Sequence, residues 1–199
     1  VLHLQATNLS FAFHEHHHLF RNLNFDISAG ELLHVRGSNG SGKTTLLKVL
    51  TSLLESSSGQ LAVKVACEYL AAEHNGLYLK MDAVSNLAFW QNLRSPAAVP
   101  PIIQELDFWG LSHPLIRQHF PVEKFSTGMK RRLALARVRL SGTKLWLLDE
   151  PISGLDEAGI EKFCEVVQTH LNAGGSVILT SHDTHFLKKI NHKTLDMNQ

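Results

Sequence analysis

Gly37-Ser38-Asn39-Gly40-Ser41-Gly42-Lys43-Thr44 satisfies the pattern G-x-x-x-x-G-K-[ST] at every position. Before it stands Leu32 to Arg36, an apolar run of strand character. After it, from Lys43 to Leu54, the residues Leu46, Leu47, Leu50, Leu53 and Leu54 recur at helical spacing. This order has a physical reason. Glycines let the backbone bend until successive N–H groups point into one anion-binding hollow, and the helix start adds its positive end at the same place. Lys43 brings a full charge to the β- and γ-phosphates of a nucleotide, and the Thr44 hydroxyl can ligate Mg²⁺. Gly37, Ser38, Asn39, Gly40, Ser41, Gly42, Lys43, Thr44 and the adjoining Thr45 are therefore the candidate nucleotide contacts. A chance glycine-rich turn competes, but the flanking strand and helix weaken it.

Leu145-Trp146-Leu147-Leu148-Asp149-Glu150 supplies a second half to such a site. A buried strand would deliver Asp149 at its C-terminal end, where open α/β sheets bind ligands. Asp149 would hold Mg²⁺ through water, and Glu150 would polarise the attacking water. Taken alone, the pair could merely cap a strand. A GTPase would need a guanine-specifying Asn-Lys-x-Asp, which the chain lacks. A small-molecule kinase stays open on these two motifs.

Around them, the chain alternates strand and helix, which indicates a parallel α/β core. Short runs at Leu2 to Ala6 and Leu19 to Ile27 add strands near the N-terminus, with Asn8-Leu9-Ser10 as a break. Glu55 to Gly59 ends the first helix, and Gln60 to Val65 and Cys67 to Ala72 read as strands. Asp82 caps a predicted helix from Ala83 to Leu93 that Ser95-Pro96 stops, and Pro100-Pro101 opens another. Ser126 or Thr127 caps a third running to Leu140. The spacing then predicts a strand to Asp149, a helix from Asp156 to Leu171, a strand from Ser176 to Thr180 and a short helix from Asp183 to Ile190.

The 199 residues are 44% hydrophobic and 19% charged, with 19 Lys plus Arg against 18 Asp plus Glu. That balance suits a folded protein and offers no electrostatic case for nucleic acid. No apolar run approaches the ~20 residues that span a bilayer, and no secretory signal is visible, so a membrane role is expected through a partner. Cys67 and Cys164 fit neither a disulfide framework nor a zinc pattern. The tract His14-Glu15-His16-His17-His18 could bind a metal, although a solvated hairpin tip explains it more simply.

Three further segments narrow the class. Phe125-Ser126-Thr127-Gly128-Met129, followed by the basic helix to Arg137, looks like the signature motif of ATP-binding-cassette ATPases. Ser153-Gly154-Leu155-Asp156 resembles that family's D-loop, and Thr180-Ser181-His182-Asp183 its switch histidine. The resemblance spans nearly the whole chain and implies the family's P-loop NTPase fold. That is an α/β domain over residues 1–199, with a parallel-sheet core, an N-terminal antiparallel β subdomain and a helical subdomain inserted at about 81–140. It further implies ATP and Mg²⁺ as cofactors, with His182 at the γ-phosphate. Ser126 Oγ and the Gly128 N–H would contact ATP held by the facing subunit of a head-to-tail homodimer, with Asp156 across that interface.

Within the family, Val35 to Thr44, Arg131 to Arg137, Leu145 to Pro151 and Gly174 to His182 resemble the ATP-binding subunits of cytochrome c maturation haem-export systems. Such subunits work peripherally on the cytoplasmic face of the bacterial inner membrane, with membrane subunits as partners. The alternatives are an ABC ATPase of another exporter and a nucleotide-binding scaffold that no longer hydrolyses. Intact Lys43, Asp149, Glu150 and His182 argue against the scaffold.

Some positions depart from the family pattern. Thr127 and Met129 replace the usual glycine and glutamine of the signature. The glutamine that links Mg²⁺ to the membrane subunit is missing, and its place falls on Glu73, with His74 next. Glu73 is the first candidate metal ligand there. Phe13, then Phe11, is the candidate platform for adenine stacking. Lys130-Arg131-Arg132 reads as a solvated helix face.

Overall fold

The computed structural model describes residues 1–14, 18–94, 99–117 and 120–198. Most of the histidine tract and the Ser95-Pro96 stop lie outside the described residues. In chain order the strands are β1 (Leu2–Ala12), β2 (His18–Ser28), β3 (Leu32–Arg36), β4 (Ser58–Val63), β5 (Cys67–Leu70), β6 (Leu145–Asp149), β7 (Ser176–Thr180) and β8 (Lys193–Asp196). The helices are α1 (Lys43–Leu50), α2 (Ala83–Arg94), α3 (Ile102–Phe108), α4 (Pro114–Arg117), α5 (Thr127–Leu140) and α6 (Glu157–Asn172).

Five strands form a parallel sheet in the order β5-β6-β7-β3-β8, and β2-β1-β4 form an antiparallel sheet. The near-continuous apolar runs of β6 and β7 follow from burial on both faces, every residue of each strand being buried. Alternation along β6 divides its side chains between two cores. Leu145 and Leu147 pack with α1 and the antiparallel sheet, while Trp146 and Leu148 pack with α5 and α6. Among the described residues, no helix is long and apolar enough to cross a membrane.

The antiparallel sheet departs from the sequence expectation. Asn8-Leu9-Ser10 does not end β1, which continues to Ala12. Asn8 and Asn22 both take φ of 51°, a left-handed conformation that asparagine tolerates better than most residues. The Asn24 side chain accepts the Asn8 N–H at 2.9 Å and donates to the Asn22 carbonyl at 2.7 Å. The apparent break is a pair of bulges inside paired strands, with register shifts on both sides of Leu9.

Gly59, expected in the stretch that ends the first helix, belongs to β4 at φ 91°. A Cβ there would collide with the backbone carbonyl of Asn8. Because the obstacle is backbone, no rotamer relieves it. Gly59→Ala is therefore expected to lower unfolding free energy by about 2–3 kcal/mol, measured by denaturant unfolding. An unchanged midpoint would show that this edge yields freely.

The first helix stops at Leu50, four residues early, because Ser52 turns left-handed at φ 58° and leaves Leu53 exposed. Asp82 caps α2 as expected, accepting the Ser85 N–H at 2.8 Å. The segment from Asp183 to Ile190 forms a 3₁₀ turn at His185–Lys189 rather than an α-helix, with Leu187 N–H bonding back to Thr184 at i−3. β8 was not foreseen, since its short polar sequence carries no alternation. Helices α2 to α5 share one apolar cluster with the sheet, through Leu87, Leu106, Trp109 and Leu133 against Leu70 and Leu148.

Candidate active site

Parallel strands β3, β6 and β7 are neighbours in the sheet, so their C-terminal ends bring three loops to one place. The loop after β3 carries Gly37 to Gly42, and α1 begins at Lys43. Gly42 is required twice over. Its φ is 96°, and a Cβ would lie 2.7 Å from Leu19 Cγ. Lys43 Nζ reaches over the loop to donate to the carbonyls of Gly37 at 2.8 Å and Ser38 at 3.0 Å. Asn198 Oδ1 accepts from both the Ser38 N–H and its hydroxyl, at 3.0 and 2.9 Å. A cleft of about 470 Å³ opens here, lined by Phe13, Leu19, Asn39, Gly40, Gly42, Lys43, Thr44, Thr45, Ala72, Asp149, Glu150 and His182. That volume lies within the range of small-ligand sites.

The acidic half is tightly tied. Thr44 Oγ1 donates to Asp149 Oδ2 at 2.7 Å, and Thr180 Oγ1 donates to Asp149 Oδ1 at 2.6 Å. The Thr180 hydroxyl also accepts the Glu150 N–H at 3.0 Å. Glu150 adopts φ 48° and turns its carboxylate toward His182. Oε2 accepts the His182 N–H at 3.2 Å, and Oε1 lies 3.6 Å from His182 Nε2. Oε1 is buried without a hydrogen bond, an acceptor free to take one. The Thr44 hydroxyl and Asp149 carboxylate form an all-oxygen set that fits a hard cation such as Mg²⁺.

The remaining candidates divide. Phe13 stands at the cleft mouth, 57% exposed, edge-on to Phe11 at 5.3 Å. Phe11 is buried core. Glu73 and His74 line an adjoining groove of about 480 Å³ with Tyr78, Trp90 and Lys130, whereas Thr44 and Asp149 line the cleft. Burial, reinforced by the charges of Asp149 and Glu73, pushes the Tyr69 phenol up to about 12. It therefore stays protonated at neutral pH. Ser126 caps α5 by accepting the Met129 N–H at 3.2 Å. Asp156 caps α6 through Gly159 and pairs with Arg132 at 2.6 Å, a bond that holds its carboxyl below the usual range. Ser126, Gly128 and Asp156 lie outside the cleft lining.

Arg131 corrects the reading of the basic run. It is 2% exposed, because residue 131 falls on the helix face of Ala134, Leu135 and Val138, all buried. That spacing was the available signal. Thr180 was missed as a site residue too, since a threonine ending an apolar strand looks like ordinary core.

A glycine-rich loop ending in Lys43-Thr44, a Thr44–Asp149 hydroxyl–carboxylate pair and a glutamate–histidine pair at the ends of adjacent parallel strands form the arrangement of a P-loop ATPase. A sequence profile of the ABC transporter family matches residues 20–153, and the chain belongs to that family as an ATP-binding protein. It is 34% identical to the cytochrome c biogenesis ATP-binding export protein CcmA of Photobacterium profundum, covering 86% of this chain and 91% of that protein. The like-named protein of Vibrio vulnificus strain YJ016 is 35% identical, over 92% and 93%. An inward-facing metal-chelate type ABC transporter superposes with a TM-score of 0.80 at 28% identity, over all of this chain and 80% of that one. A dimeric ATP-binding cassette in a post-hydrolysis state with ADP and Pi gives 0.79 at 18% identity, over 92% and 89%, which is likeness of fold.

Proposed function

We propose that this chain is the ATP-hydrolysing subunit of a cytochrome c maturation transporter, linked to export of haem or release of haem-loaded chaperone. The pairing of Glu150 with His182 at the mouth of the cleft carries the hydrolytic part of the reading. The names of the CcmA relatives support the pathway. Lys43 and the loop N–H groups hold the phosphates, and Phe13 stacks the base. Glu150 takes the proton of the attacking water, while His182 orients that carboxylate and the γ-phosphate. Mg²⁺, held by Thr44 and Asp149, would neutralise phosphate charge.

Ser126 and Gly128 lie away from the cleft of their own subunit, which suits a head-to-tail homodimer in which each serves the other's ATP. The groove beside Glu73, with Tyr78 and Trp90, suits contact with a membrane partner on the cytoplasmic face of the bacterial inner membrane. The helical block at about 81–140 then works as the partner-facing part of one ATPase domain. Expression in a Vibrio strain lacking its own CcmA tests the reading. Haem-stained c-type cytochromes are expected to return, with the co-expressed membrane subunits of this system if needed. Normal ATP turnover without any such recovery would move the chain to another exporter.

A further inference from the structure

Beyond the groups already assigned roles, Arg131 makes the most hydrogen bonds to the site among the described residues. All five of its N–H donors are engaged. Nε donates to the Pro151 carbonyl at 3.0 Å, and Nη2 to those of Asp149 at 2.9 Å and Glu150 at 2.6 Å. Nη1 donates at 3.0 Å to the Ala71 carbonyl and at 3.0 Å to Asn75 Oδ1. One guanidinium thus grips three successive carbonyls around Glu150 and both flanks of the segment that carries Glu73. Burial pushes the Arg131 pKa down to about 10, despite the nearby Asp149 and Glu150 charges. It remains a cation at neutral pH.

The grip matters because of what it holds. Glu150 sits at φ 48°, a conformation that costs a side-chain-bearing residue energy and persists only where its surroundings impose it. Arg131 fixes its carbonyl side, and Thr180 fixes its N–H from the neighbouring strand. Released from these bonds, residue 150 would relax toward negative φ and swing its carboxylate away from His182. Lysine cannot substitute fully, since one ammonium cannot span both sides of the guanidinium.

We propose that Arg131 is a positioning residue: it locks Glu150 in the water-activating orientation and couples that orientation to the 71–75 segment beside the Glu73 groove. The inference rests on the reading of Glu150 as the group that activates water. A contact that shifts residues 71–75 would reach Glu150 through this side chain.

The test compares Arg131→Met, Arg131→Lys and Thr180→Val with wild-type protein, measuring thermal midpoint, affinity for Mg-ATP and kcat. For Arg131→Met, kcat is expected to fall at least 30-fold while ATP affinity changes less than 3-fold. Arg131→Lys is expected to lie between. Thr180→Val frees the Glu150 N–H but also one oxygen of Asp149, so it is expected to lower kcat at least as far and, unlike Arg131→Met, to weaken Mg-ATP binding as well. In a Glu150→Gln background, Arg131→Met is expected to change kcat no further, because the group it positions is already gone. Parallel losses of affinity and kcat that track the thermal midpoint would reduce Arg131 to a structural role and overturn the proposal. So would unchanged kcat, or failure of both Arg131 variants to fold. Wild-type turnover by Glu150→Gln alone would instead overturn the reading of Glu150, which separates the two failures.

Discussion

Glu150→Gln is expected to lower ATP turnover by at least about 100-fold while leaving ATP binding within a few-fold of wild type. The substitution keeps the side chain's shape. A Gln oxygen still accepts the His182 N–H that Oε2 now accepts at 3.2 Å. What disappears is the ability to take a proton, together with the negative charge beside His182 Nε2. Because Lys43 and the loop N–H groups are untouched, the nucleotide still binds and is not consumed. A head-to-tail dimer closed by ATP should then accumulate, visible as a doubled mass in size-exclusion chromatography with light scattering in the presence of ATP. Turnover near the wild-type rate would remove Glu150 from the chemistry.

Lys43→Ala is expected to weaken ATP binding by about 30- to 150-fold. A hydrogen bond to a charged group contributes about 2–3 kcal/mol, and each 1.4 kcal/mol is a factor of ten. The Lys43 ammonium already lies over the loop, bonded to the Gly37 and Ser38 carbonyls. It needs to swing only a short way to meet a phosphate. The Ser38 carbonyl is exposed and that of Gly37 only part-buried, so water can replace the lysine and the fold should survive with little change in thermal midpoint. Titration calorimetry with ATP measures the effect. Binding within 3-fold of wild type would show that backbone N–H groups alone hold the phosphates.

The parts of this site that are contiguous in sequence could be read directly. Gly37 to Thr44 and Asp149-Glu150 carry their chemistry in their own order, and the strands and helix predicted around them are present. The parts assembled by folding were harder to see. Arg131 acts on backbone carbonyls, which have no signature in sequence, and its place in a basic run disguised its burial. Thr180 looked like strand filler because its partners, Asp149 and Glu150, lie on another strand. The misread ends of β1 and α1 have a related cause. Asn8 and Ser52 both take left-handed backbone, yet one continues a strand through a bulge and the other ends a helix.

The cap and the arginine clamp belong to the same rigid piece. Ser126 stands at the start of α5, and Arg131 follows five residues later, about 7.5 Å along the axis. In a head-to-tail pair, the Ser126 end would touch the nucleotide of the facing copy while the Arg131 end steadies the glutamate of its own. Occupancy on one side would then be felt as alignment on the other, and in both directions. Alternation between the two ATPs would need no messenger beyond about one and a half turns of helix.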